Sequence, residues 1–178
     1  LGQGRRIVLH ASNFRPVKNI DGVIRTFHRI QSEVPANLLL VGEGPELPRA
    51  RELVDTLGLS ERVFFLGIQD AIDELLAQSD LLLQPSEHES FGLTPLEAMA
   101  TGVPVVLTNR GGTVELVESG VSGFLADPED VAGMARWAID LLREPDRWRA
   151  VSEAARRRAV ERFAQDAMVD RYLDFYRK

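Results

Sequence analysis

Short apolar runs alternate with amphipathic stretches along the chain. Six runs read as strands: Arg6–Ser12 (RIVLHAS), Asn37–Gly42 (NLLLVG), Arg62–Gly67 (RVFFLG), Asp80–Pro85 (DLLLQP), Pro104–Thr108 (PVVLT) and Gly123–Ala126 (GFLA). Each is brief, leucine-rich or β-branched, and nearly unbroken in apolarity, as parallel strands covered on both faces are. Between the first two, Ile20, Val23, Ile24, Phe27, Ile30 and Val34 recur at helical spacing until Pro35 stops them. Further helices are predicted from about Pro45 to Leu57, from about Asp70 to Gln78, over Leu93–Ala100, and around Thr113–Ser119. Asp127-Pro128 reads as an N-cap with proline at the first helical position, opening a helix to about Arg143. The remaining residues, to Lys178, are nearly all helical in pattern. The alternation predicts an α/β chain: a Rossmann-like, doubly wound, six-stranded parallel sheet with helices on both faces and a helical C-terminal tail. Residues 1–178 read as a single domain.

Composition narrows the chemistry. At 178 residues, 44% apolar and 27% charged, the chain is of globular type. No apolar run approaches the ~20 residues of a membrane span, and the start lacks a signal-peptide pattern. The absence of cysteine excludes a disulfide framework, thiol catalysis and cysteine metal sites, and fits a reducing, cytoplasmic compartment. The net charge of −6 is unevenly spread. Residues 1–18 hold Arg5, Arg6, Arg15 and Lys18 with no acid, whereas 19–130 carry 6 basic against 19 acidic residues. Such a balance argues against nucleic acid as a partner but leaves a local basic patch near residue 15 for a smaller anion. Lys18 and Lys178 are the only lysines, so no Gly-Lys-Ser/Thr exists and a P-loop ATPase is excluded.

In a doubly wound sheet, ligands sit at the carboxyl ends of the strands. The segments there are Asn13–Lys18, Gly42–Pro45, Gly67–Asp70, Ser86–Gly92 and Thr108–Thr113, all rich in Gly, Ser, Asn and charge. They point to a polar, phosphorylated small molecule. Arg15 and Lys18 precede a helix N-terminus, where a cation is unfavourable unless an anion joins it; the plain alternative is a solvated loop. Gly42-Glu43-Gly44-Pro45 has two glycines of a dinucleotide fingerprint but not the third, and reads as a tight turn bringing backbone close to a ligand.

Glu89 and Glu97 are separated by seven residues in Ser86–Glu97. Carboxylates can each grip a pair of sugar hydroxyls, and the Ser90–Leu93 amides can cradle phosphate. On spacing alone the competing reading is favoured: Thr94 as a helix cap with Glu97 reaching back. Gly111-Gly112 before Thr113 reads equally as an anion nest or as a simple loop. The three histidines lack zinc spacing; His28 reads as a wet helix position and His10 as a packed strand residue.

The run E-S-F-G-L-T-P-L-E-A-M-A-T-G-V-P-V-V from Glu89 resembles the E-x7-E signature of the family-four glycosyltransferases, retaining, metal-independent enzymes of the GT-B fold. The likeness extends through Val41–Pro45, the Gly111-Gly112…Glu115 loop and the Gly120…Gly123 turn. Within that family, H-A-S-N-F-R-P-V-K at His10–Lys18 and F-L-G-I-Q-D at Phe65–Asp70 are similar to the enzymes that join N-acetylglucosamine to L-malate in bacillithiol synthesis. The resemblance implies a nucleotide-sugar donor (UDP-N-acetylglucosamine), a small-molecule acceptor and no cofactor or metal. Glu89 would hold the sugar's hydroxyls beside the Ser90, Phe91, Gly92 and Leu93 backbone. Glu97 would bind the ribose, Lys18 the diphosphate, and the loop at Ile68 and Gln69 the base. Gly42 joins this set. The family's usual arginine, five residues before the lysine, is replaced here by Asn13, with Arg15 as a candidate substitute.

The resemblance further implies that the chain is the C-terminal, donor-binding half of a two-domain enzyme, inactive without its N-terminal half. Met168, Val169, Tyr172, Leu173 and Tyr176 form a stripe in the tail that would either cross onto that half or pack on its own body. The alternatives are a non-catalytic sugar-nucleotide-binding module and, against the broken glycine fingerprint, a dinucleotide-binding oxidoreductase domain.

Overall fold

The structure is a computed structural model and describes residues 4–163; the tail stripe from Met168 to Tyr176 lies outside them. In chain order the strands are β1 (Arg6–Ala11), β2 (Ala36–Val41), β3 (Val63–Gly67), β4 (Leu81–Gln84), β5 (Val105–Thr108) and β6 (Phe124–Ala126). The helices are α1 (Ile20–Gln31), α2 (Leu47–Thr56), α3 (Ile72–Ala77), α4 (Leu93–Ala100), α5 (Thr113–Leu116), α6 (Val131–Arg143) and α7 (Pro145–Phe163), with a 3₁₀ turn at Pro16–Lys18. All strands are parallel, in the order β3-β2-β1-β4-β5-β6. Every predicted strand lies within one or two residues of its observed place.

Strand alternation builds two cores. Val8, Leu38, Leu40, Leu81, Leu83 and Val106 face Ile24, Phe27 and Ile30 of α1 and Leu141 and Leu142 of α6. Ile7, Leu9, Leu39, Leu82, Val105 and Leu107 face the other way, onto Met99 of α4 and Ala155 of α7. This double coverage is why the strands carry no polar alternation.

β1 and β4 belong to different halves of the winding, so the sheet's switch point falls between them. β1 pairs with β2 over six register positions but with β4 over only Val8↔Leu81 and Leu9↔Leu82. The amino ends are clamped by Asp80, which accepts from the Ile7 amide and the Arg6 guanidinium, each at 2.7 Å. Beyond Leu9 and Leu82 the ladder ends and the two chains part. That opening positions the site.

The α6 start departs from expectation. Asp130, not Asp127, is the N-cap, its carboxylate accepting from the Gly133 amide at 2.8 Å. Asp127 is held elsewhere: it accepts from the Glu129 amide at 3.0 Å and from Arg110 at 2.9 Å. Its carboxyl lies below the usual carboxylate pKa, chiefly through the Glu129 amide.

Candidate functional site

The loop after β1 is shaped by two residues with positive φ. Phe14, at φ 23°, drives its ring fully into the core, and Asn19, at φ 51°, caps α1 through the Gly22 amide. Such conformations persist only where the surroundings enforce them. Asn19 also donates to the Pro85 carbonyl at 3.0 Å, and the Val17 carbonyl accepts from the Glu87 amide at 2.8 Å. The loops after β1 and β4 are thereby tied together, which brings Lys18 to Glu89.

Lys18 Nζ donates to Glu89 Oε2 at 2.7 Å, and both side chains are largely buried. Gln84 Nε2 and Ser86 Oγ approach the same oxygen at 3.3 and 3.4 Å. Glu89 Oε1 has no partner among the described residues. The pair closes one end of a cleft of about 400 Å³ whose walls include Ser12, Asn13, Gln84, Ser90, Phe91, Gly92 and Leu93. A second cavity of about 360 Å³ shares Ala11, Ser12, Asn13 and Thr94 with it and continues to Gly42, Ile68 and Gln69. The two form one groove across the carboxyl ends of β4, β1, β2 and β3.

α4 begins at the groove wall with Gly92 at φ 87° as N-cap and no side-chain cap. Thr94 and Glu97 therefore form no capping box, contrary to what spacing alone favoured. Pro95 has no amide N–H and the Leu96 amide bonds the Gly92 carbonyl, so among the described residues the first-turn donors left without a partner are those of Leu93 and Thr94. Groups of that kind suit an anion. Glu97 is exposed on the turn after Thr94, and its carboxylate has no partner among the described residues.

The two glycine pairs serve the chain's own backbone. A Cβ on Gly42 would strike the Ser12 carbonyl, and one on Gly44 would meet the Asn13 and Phe14 carbonyls at 2.5 and 2.8 Å. A Cβ on Gly111 would strike the Glu89 carbonyl, and one on Gly112 the Ser90 carbonyl. The Gly112 amide is already spent on the Glu89 carbonyl at 2.7 Å, so this segment is a buttress under the Glu89 loop. Close approach of the chain to itself accounts for these glycines, and Gly42 also lines the second cavity of the groove.

The structure thus gathers Lys18, Glu89, Asn13, Gly42, Ile68, Gln69 and the Ser90–Leu93 segment on one groove. Arg15 is exposed and lines neither part, and its guanidinium has no partner among the described residues. Gln69 turns its amide to the Leu66 carbonyl at 2.6 Å.

Sequence reasoning overlooked two groove residues, Ser12 and Gln84, and His10 behind Ser12 in any polar role. His10 is fully buried, with Nδ1 2.9 Å from the Leu83 carbonyl and Nε2 2.9 Å from Ser12 Oγ. Burial lowers its pKa to about 4. A histidine with a serine two residues later at a strand's carboxyl end was the available signal.

A larger cavity of about 550 Å³ at the far end of α1 is lined by Arg25, His28 and Arg29. His28 and Arg29 lie in that helix's last turn, where basic side chains complement its carboxyl end, and need no ligand to explain them. Among the described residues no three His, Asp or Glu side chains gather to hold a metal. No described helix is long and apolar enough to cross a membrane.

Comparison with known proteins gives a consistent pattern. The family model for glycosyl transferases group 1 matches residues 1–158. N-acetyl-α-D-glucosaminyl L-malate synthase of Bacillus anthracis is 44% identical over 176 residues, covering 99% of this chain and 46% of its own length. D-inositol 3-phosphate glycosyltransferase of Rhodococcus opacus is 35% identical, covering 96% and 40%. The crystal structure of Anabaena HepE in complex with UDP superposes with a TM-score of 0.90 at 29% identity, over 97% of this chain and 48% of that one. The C-terminal domain of a Francisella tularensis group 1 protein shares the fold (TM-score 0.83, 20% identity, 90% and 87% coverage). The chain spans about half the length of the curated relatives it matches.

Proposed function

The chain belongs to the glycosyl transferases group 1 family, and from that premise we propose that its groove binds a uridine diphosphate sugar, with UDP-N-acetylglucosamine as the donor. One observation carries the reading: Lys18 Nζ and Glu89 Oε2 meet at 2.7 Å at the mouth of the switch-point crevice. A cation suited to the diphosphate and a carboxylate suited to sugar hydroxyls thus stand side by side in the groove. The relatives' names and the HepE–UDP complex support the nucleotide sugar; the 44% relative supports N-acetylglucosamine as the sugar and L-malate as the acceptor.

Before the ligand arrives, Lys18 and Glu89 neutralise each other. Binding exchanges this ion pair for two contacts: Lys18 with the diphosphate, Glu89 with sugar hydroxyls. As the glycosidic bond breaks, negative charge grows on the departing diphosphate. Lys18 and the Leu93 and Thr94 amides are already oriented to stabilise it, so little reorganisation is needed in the transition state. Glu89 fixes the sugar for attack on the face the leaving group vacates. Asn13 and the Ser90–Leu93 backbone line the phosphate end, Glu97 holds the ribose, and Gly42 with the Ile68–Gln69 loop receives the base. Arg15 adds positive potential at the groove's entrance. The acceptor is held by an N-terminal domain facing this groove, and no metal or other cofactor takes part.

Calorimetry of the chain with UDP, ADP and GDP tests the site. UDP is expected to bind and the others to bind less; equal and negligible heats from all three overturn a preformed site. In the full-length enzyme, Lys18→Ala removes a charge-assisted contact, so UDP affinity and turnover are expected to fall about tenfold or more. Unchanged turnover and affinity would remove Lys18 from the diphosphate.

A further inference from the structure

Ser12 lines both cavities of the groove and touches a fully buried histidine. The partners' chemistry fixes the hydrogen-bond directions at this pair. The Leu83 carbonyl only accepts, so His10 Nδ1 carries the ring's proton. His10 is neutral at physiological pH, with a pKa of about 4 set by burial. Nε2 is therefore bare, and the Ser12 hydroxyl must donate to it at 2.9 Å. With its single proton engaged, Ser12 Oγ offers the groove lone pairs alone.

Glu89 points the same way. Its Oε2 receives Lys18 at 2.7 Å, with Gln84 Nε2 at 3.3 Å, while its Oε1 has no partner among the described residues. The Gln84 amide oxygen is sealed from the groove and is not offered to a ligand. The cleft beside Lys18 therefore holds two acceptors, Ser12 Oγ and Glu89 Oε1. Phosphate oxygens satisfy neither of them. Hydroxyl or amide N–H groups satisfy both.

We infer that Ser12, held as a pure acceptor by His10, is a specificity-determining residue that takes a hydrogen bond from the sugar of the nucleotide sugar, a hydroxyl or an acetamido N–H. The inference rests on the reading of the groove as a nucleotide-sugar site. His10 acts as a positioning residue: it touches no ligand, and its carbonyl-bound tautomer sets the polarity of Ser12. The arrangement sorts the ligand along the groove. Diphosphate is left to Lys18 and the α4 amides, and the sugar's donors to the wall formed by Ser12 and Glu89.

The test is calorimetric titration of the chain and its variants with UDP, UDP-glucose and UDP-N-acetylglucosamine. Ser12→Ala is expected to weaken the UDP-sugars about fivefold relative to UDP, the scale of one neutral hydrogen bond, with UDP itself unchanged. Loss with both sugars assigns a hydroxyl; loss with the N-acetylated sugar alone assigns the acetamido N–H. Ser12→Thr, which keeps the hydroxyl, is expected to restore the ratio. His10→Phe leaves the serine in place but frees its proton, and is expected to lower the same ratio while UDP still binds. A purely structural His10 would lower UDP and UDP-sugar affinity together. Should His10→Phe not fold, the Ser12 variants decide alone, with UDP binding as their check of an intact groove. An unchanged ratio in Ser12→Ala, with wild-type binding present, overturns the inference and spares the nucleotide-sugar reading. If wild type binds none of the three ligands, both fall.

Discussion

At the residue scale, His10 shows how a buried polar group couples stability to its site. Its pKa is about 4 in the folded chain against 6.5 in an exposed one, because burial penalises the imidazolium. Between those values the unfolded chain binds a proton the native state does not, so stability rises with pH across the interval and is lost on acidification. The full difference corresponds to about 3 kcal/mol at most, reached near pH 4. Urea midpoints are therefore expected to fall between pH 7 and pH 5, and His10→Phe to flatten that decline. Equal slopes in the two proteins would show that other groups are responsible. Lys18 and Glu89 were legible as candidates because their residue types and motif stood out in the chain. The His10–Ser12 pair was not, since its meaning depends on a carbonyl 73 residues away. Arg15 shows the converse: its charge was conspicuous in sequence, yet the fold leaves it outside the groove wall.

At the element scale, the loops are set by where one backbone presses on another. Gly111 combines φ 80° with a Cβ position that collides with the Glu89 carbonyl. Gly111→Ala is expected to cost about 3 kcal/mol, combining left-handed strain and overpacking, and to displace the Glu89 loop. Gly58, at φ 67° with nothing within 4 Å, isolates the first effect. Gly58→Ala is expected to cost about 1 kcal/mol, so thermal melting of the two variants should separate conformational strain from the buttress. Matching shifts would remove the buttress role. Helix and strand positions were legible because their periodicity is local. The capping box at Thr94 and the Asp127 cap failed for one reason: a short polar side chain near a helix start has several possible partners. Gly92 and Asp130 took the caps, and Arg110 took Asp127.

At the scale of the whole molecule, the described residues leave the groove open on one side. Ile68 is 70% exposed and Leu93 66%, and both border the groove. Catalysis by glycosyl transfer needs water excluded and an acceptor oriented, and the described residues supply neither cover nor acceptor clamp. The chain by itself is therefore expected to bind UDP and transfer no sugar; joined to an N-terminal domain, it is expected to transfer N-acetylglucosamine to L-malate. Product analysis by mass spectrometry checks both. Transfer by the chain alone would overturn the two-half reading. Nucleotide-sugar binding without transfer by the joined protein would favour a binding module.

The sequence by itself determined the α/β alternation, the double coverage of the strands and the family, because hydrophobic period and short motifs are properties of neighbouring residues. It also excluded a P-loop, since a missing lysine needs no structure to be seen. Only the tertiary structure decided that Lys18 and Glu89, 71 residues apart, meet at 2.7 Å. Their meeting depends on β4 pairing with β1 and on loops stitched by Asn19 and Glu87. Strand order and backbone contact are long-range outcomes of packing. They alone decided that the glycine pairs answer to the chain's own backbone.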